Sequence, residues 1–162
     1  MADPDRDVGE DGRHETETER ADRNFSELLQ ELRVAQTGVQ ILFAFLLTLP
    51  FTQRWMAVGG LEHGIYLFTL SCTALATACL IAPVSHHRIL FRQRRKPVLV
   101  EVGSKLAGLG LLFLWLAIVG AIFLIFKVVV GTGIGLAVAI VLAVVFLGVW
   151  YVQPLLQKRQ RY

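Results

Sequence analysis

The sequence predicts an all-α, polytopic integral membrane protein, with four transmembrane helices in a small bundle preceded by a disordered acidic tail. Hydrophobic residues fill 54% of the 162 positions and the mean hydropathy is +0.55, too apolar for an ordinary soluble domain. Four uncharged stretches, 34–53, 64–85, 106–126 and 128–157, each reach the ~20 residues needed to cross a ~30 Å hydrocarbon core. Leu, Ala, Val and Phe run continuously through them without period-2 alternation. The backbone in lipid is therefore satisfied within helices and not within a barrel.

Residues 1–23 hold nine carboxylates against four arginines, a net −5, so the +3 of the whole chain leaves +8 for the remainder. Such a segment, acidic and without aliphatic runs, buries too little apolar surface to order itself and is expected to be a disordered cytoplasmic tail. Asn24 with Glu27 three positions later fits a capping box, which places the start of the first helix there. One membrane domain, 24–157, follows, with spans near 34–53, 64–85, 106–126 and 131–152, and a basic tail, 158–162, closes the chain. No basic-then-apolar signal sequence opens the chain, so the first span is expected to direct insertion and the tail to be retained.

Lysine and arginine near the span ends set the orientation. Arg88, Arg92, Arg94, Arg95, Lys96 and Lys105 lie between spans two and three, Lys158, Arg159 and Arg161 follow span four, and Arg20, Arg23 and Arg33 flank span one. The opposite side holds only Arg54 and Lys127. The positive-inside rule puts both termini in the cytoplasm, and the plasma membrane is the expected location. In this setting the basic surplus serves orientation, and nucleic acid is not expected as a partner. The other side has two short connections, 54–63 and 127–131. Trp55, Trp150, Tyr151 and Tyr162 fall near span ends, where amphipathic rings favour the headgroup region, while Trp115 reads as packing.

The first span carries the richest chemistry. At ~100° per residue, Gln30, Arg33, Thr37, Gln40 and Ala44 share one narrow face, with Gln36 and Thr48 at its edges. Polar groups in lipid are expensive and face a bundle interior, a cavity or a pathway, so one reading makes this stripe a hydrated route. The plainer reading is that Thr37 and Gln40 hydrogen-bond neighbouring helices, each contact contributing ~0.6 kcal/mol. Arg33 serves as a lipid-phosphate anchor or as a guard at an entrance. Glu27 and Glu31 point off the stripe at the membrane surface, and no Asp or Glu lies within the four uncharged stretches. Proton-coupled transport commonly uses an embedded carboxylate or histidine, so its absence counts against conventional proton antiport.

His86, His87 and Arg88 end span two, and Arg92, Arg94, Arg95 and Lys96 continue the basic run to Pro97, which favours termination of that helix. Anionic lipid headgroups suit this run, at ~1 kcal/mol per basic residue. A pH-sensing or metal-binding histidine pair is the sharper alternative. Adjacent histidines diverge by ~100° on a helix, which makes joint ligation awkward. No metal or cofactor is expected.

Small residues repeat at four-residue spacing as Ala74, Ala78 and Ala82 in span two and as Gly131, Gly135, Ala139 and Ala143 in span four. Such ladders let backbones approach and mark packing seams, either within the unit or between subunits. Cys72 and Cys79 are about 10 Å apart along a helix, too far for a disulfide, and read as small packing residues. Lys127 is placed to snorkel from the end of span three. No phosphate loop, HExxH or nucleophile with a readable base is present, so no enzymatic activity is expected.

The runs ELLQELRVAQTGVQILFAFLLTLPF (27–51) and IAPVSHHRILFR (81–92) resemble an uncharacterised family of small actinobacterial membrane proteins with four predicted helices. The resemblance covers most of the chain beyond the tail. It implies the fold but brings no established activity. Some of these relatives bear an automatic sodium:proton antiporter label. Arg23, Phe25, Ser26 and Glu27 are also similar to the arginine-plus-Phe-Ser-Asp opening of the lysosomal potassium-channel family, with Glu in place of Asp, which implies a channel. The expectation is a non-enzymatic structural or interaction module, in contact with membrane lipids and able to form a homo-oligomer. The alternative is an oligomeric channel or transporter for a cation or sodium/proton exchange, using the polar face of the first helix.

Overall fold

The computed structural model describes residues 7–8, 14–15, 17–90 and 96–152. Two short strands, β1 (Asp7–Val8) and β2 (His14–Glu15), pair antiparallel. Four long helices follow: α1 (Glu17–Thr48), α2 (Gly60–Leu90), α3 (Lys96–Val129) and α4 (Thr132–Leu147). The class is all-α, with four helices long and apolar enough to cross a membrane.

The start of α1 corrects the expectation of a helix opening at Asn24. It begins seven residues earlier, at Glu17, and β1 and β2 lie within the segment expected to be disordered. Arg23 then pairs with Glu27 at 3.5 Å across one turn. Asn24 is thus inside the helix and not a cap.

Helices α2 and α3 also outrun their apolar cores. At 1.5 Å per residue the 34 residues of α3 extend about 50 Å, well beyond a ~30 Å hydrocarbon layer. Pro97 occupies the first turn of α3, where its missing N–H leaves no bond unmade, and is not part of α2. Between α1 and α2 the chain makes two 3-10 turns, Leu49–Phe51 and Gln53–Ala57. The α3–α4 turn is tighter. It passes through Gly131 at φ 116°, a conformation that only glycine adopts without strain, and both Val130 and Gly131 donate backbone bonds to the Phe126 carbonyl. A five-residue π turn, Gly148–Val152, extends α4 to the expected span end.

The helices α2 and α3 form the centre of the unit; α1 packs on both, and α4 packs on α3. In the apolar 18-residue segments of α1 and α4 only 11% of the residues are buried, against 33% in that of α2. Two clusters make the core. One gathers Leu32 and Val39 of α1, Ala76 and Leu80 of α2, and Ala107 and Leu114 of α3. The second, toward the α1–α2 connection, holds Leu46, Tyr66, Ala121 and Leu124.

Glycines on α3 allow the central contact. A Cβ on Gly110 would lie 2.8 Å from the Leu80 side chain, and one on Gly120 would collide with Thr69 Oγ1. Thr69 and Thr73, both fully buried, satisfy their hydroxyls on the carbonyls of Ile65 (2.7 Å) and Thr69 (2.8 Å). A polar side chain can thus sit in this dry seam without an outside partner.

Candidate functional site

The polar stripe of α1 is real, and its direction is the main structural finding about it. Residues buried on α1 are Phe25, Leu32, Val39 and Leu46, a seven-residue repeat facing α2 and α3. Gln30, Arg33, Thr37, Gln40, Ala44 and Thr48 are exposed, on the opposite side. Val34, at 77% exposure, and Ile41, at 68%, border them. The stripe therefore faces neither the unit's own helices nor a cavity inside it. Gln40 lies about 10 Å along the axis from Arg33, at a level flanked by the apolar residues of the span.

The members of the stripe differ in how they are satisfied. Gln36 turns inward and donates its side-chain amide to the Leu80 carbonyl of α2 at 2.7 Å. Thr37 bonds back to the Arg33 carbonyl at 3.0 Å, and Thr48 to that of Phe45 at 2.7 Å. Gln40 has no hydrogen bond within the chain among the described residues. Its amide has two donors and an acceptor to place.

The small-residue ladders divide. On α4, Gly135 and Ala139 are buried and Gly131 and Ala143 half-buried, and a Cβ on Gly135 would come within 2.9 Å of the Lys127 backbone nitrogen. Trp115 Nε1 donates to the Ala143 carbonyl at 3.2 Å. This ladder is a seam within the unit. On α2, Ala74 and Ala78 are exposed and Ala82 half-buried, so that ladder is not a seam to α1 or α3. The inward face of α2 is instead Thr69, Cys72, Thr73, Ala76 and Leu80.

The basic run is divided by the limits of the described residues. His86, His87 and Arg88 fall in the last turns of α2 and Lys96 opens α3; Arg92, Arg94 and Arg95, like the 158–162 tail, lie outside them. In the first turns of α1, Ser26 Oγ bonds to the Arg23 carbonyl at 2.8 Å and Phe25 is buried at 5% exposure. Of the residues that resemble a channel opening, Ser26 and Glu27 thus make local contacts with Arg23, while Phe25 packs toward Gly103 of α3.

Sequence reasoning missed a second polar group, at the end that carries the α1–α2 and α3–α4 connections. Lys127 Nζ lies 2.8 Å from Glu62 Oε1, joining the end of α3 to the start of α2. Beside it, Trp55 makes edge-to-face contacts with His63 (centroids 4.7 Å apart) and with Tyr66 (4.6 Å), and Tyr66 donates to the Leu46 carbonyl at 3.1 Å. A cleft of about 260 Å³ opens next to Trp55, walled by Leu49, Leu124, Ile125 and Val128 with Arg54 on its lining. The clue in the sequence was a lone Glu and a lone Lys at ends that an antiparallel α2–α3 pair must bring together. Trp150, expected at an interface, instead packs on the first core cluster and against Phe146 at 5.1 Å.

These features define a four-helix protein of membrane-crossing length with a polar outward face on its first helix. The chain belongs to a family of unknown function, DUF6328, whose sequence model matches residues 14–154. No curated protein and no solved structure matches it.

Proposed function

We propose that this protein is a multi-pass plasma-membrane protein that works as a non-enzymatic interaction module, self-associating through the outward face of α1. The observation that carries this reading is the exposed Gln40, set on the same face as Arg33 and Thr37 and left without a hydrogen bond among the described residues. An amide in hydrocarbon needs a polar partner. A second copy provides one directly, because an amide both donates and accepts and so pairs with itself across a two-fold axis. Positive-inside charge bias supports cytoplasmic termini, with His86, His87, Arg88, Arg92, Arg94, Arg95 and Lys96 against anionic lipid.

The outward stripe also favours a second reading, in which several copies arrange the Arg33, Thr37 and Gln40 faces around an axis that conducts a cation. The lack of a carboxylate at the level of Gln40 argues for passive conduction over proton-coupled exchange. Donor- and acceptor-labelled protein diluted in liposomes tests self-association: energy transfer should persist on dilution and weaken in Gln40→Leu. Transfer that vanishes on dilution, or that Gln40→Leu leaves unchanged, rejects the interface. Cation flux above empty vesicles, lost in Gln40→Leu with the fold intact, selects the conduit over the module.

A further inference from the structure

The cleft beside Trp55 combines an apolar interior with a cation that has no carboxylate partner among the described residues, and that combination specifies a ligand. Its walls are Leu49 from the α1–α2 connection and Leu124, Ile125 and Val128 from α3; Trp55 closes one side and is fixed by its ring contacts with His63 and Tyr66. At about 260 Å³ it falls just below the ~300–1,000 Å³ of a site that encloses a whole small molecule, and it is open on one side. It suits part of an amphiphile, with the remainder left in the bilayer.

The charges at this end decide the polar half of that amphiphile. Among the described residues the cations here are Arg54 and Lys127 and the carboxylate is Glu62. Glu62 is held by Lys127 at 2.8 Å, which leaves Arg54 exposed and without a carboxylate. A guanidinium presents paired N–H donors that match phosphate oxygens. Trp55 sits at the same level, and indole favours the headgroup zone.

We propose that this cleft is a binding site for an anionic phospholipid, with Arg54 on the phosphodiester and one acyl chain against Leu49, Ile125 and Val128. The site lies at the opposite end of the bundle from His86, His87, Arg88 and Lys96 and is independent of self-association through α1.

The test uses the full chain in liposomes containing phosphatidylglycerol or phosphatidylcholine with bromine on the acyl chains, read by tryptophan quenching. Trp55→Phe defines the part of the signal that Trp55 supplies. Phosphatidylglycerol should quench that part with about tenfold higher apparent affinity than phosphatidylcholine, the size of one charge-assisted bond. Arg54→Gln should bring the two lipids level, and Val128→Phe, which narrows the cleft without adding a tryptophan, should abolish preferential quenching by either. Arg54 is exposed, so its replacement leaves the fold intact. The proposal is overturned by equal quenching by both lipids in the wild type. It is also overturned if the preference survives Arg54→Gln, or if Val128→Phe leaves the lipid preference unchanged.

Discussion

Lys127 and Glu62 form an ion pair of 2.8 Å with side-chain exposures of only 9% and 19%, tying the last turn of α3 to the first turn of α2. Lys127 also lies over the Phe123 ring, 6.0 Å from its centroid. A lysine read from sequence as reaching for the membrane surface is instead held by a carboxylate. The pair fixes the relative height of the two central helices.

Removing one member leaves the other charge without its partner at the α2–α3 contact. Lys127→Met and Glu62→Gln should each lower the unfolding midpoint in detergent. The exchange Glu62→Lys with Lys127→Glu should recover most of the loss. No recovery would mean that the two side chains act separately.

The glycines of α3 are not equivalent. A Cβ on Gly110 meets Leu80 at 2.8 Å, whereas one on Gly108 meets nothing within 4 Å. Gly110→Ala should therefore destabilise by roughly 1–3 kcal/mol through overpacking, and Gly108→Ala should be neutral or slightly stabilising through helix propensity. Parallel thermal melts distinguish them; equal effects would contradict the packing described.

On α4, Gly135 approaches the α3 backbone so closely that a larger residue must push the helices apart. Gly135→Leu is expected to release α4 from α3. Protease access or hydrogen exchange in α4 should rise while the α2–α3 centre stays protected. Unchanged protection of α4 would place its anchor elsewhere.

Gln36 and Gln40 are four residues apart and should respond oppositely. Gln36→Leu removes the 2.7 Å bond to the Leu80 carbonyl and should lower monomer stability by roughly 0.6–1.7 kcal/mol. Gln40→Leu should leave monomer stability unchanged and reduce association. Stability and association assays on both variants check the division, and a stability loss in Gln40→Leu alone would reverse it.

The four helices and both short connections were legible because membrane-length apolar runs and glycine-rich turns are local properties of the chain. The α1 stripe was legible from the 100° step, but its direction was not. In lipid the outer face of a helix is as apolar as the inner one, so hydrophobicity does not identify the buried side. Ala74 and Ala78 show the same difficulty: their spacing marks a ladder, while the buried face of α2 carries Thr69, Thr73 and Ala76. The helical extension from Glu17 was not legible because an acidic segment without aliphatic runs reads as disorder. Glu62 and Lys127 are far apart in sequence, and only the pairing of α2 with α3 brings them together.

The central claim is that the outward face of α1 is where one copy meets another. Cysteine cross-linking in native membranes tests it most directly, with Cys72 and Cys79 replaced by alanine and a single cysteine introduced at Thr37 or at Ala74, both exposed. The account predicts a dimer band from Thr37→Cys and little from Ala74→Cys. A band from Ala74→Cys with none from Thr37→Cys would contradict it and assign the interface to the alanine ladder of α2.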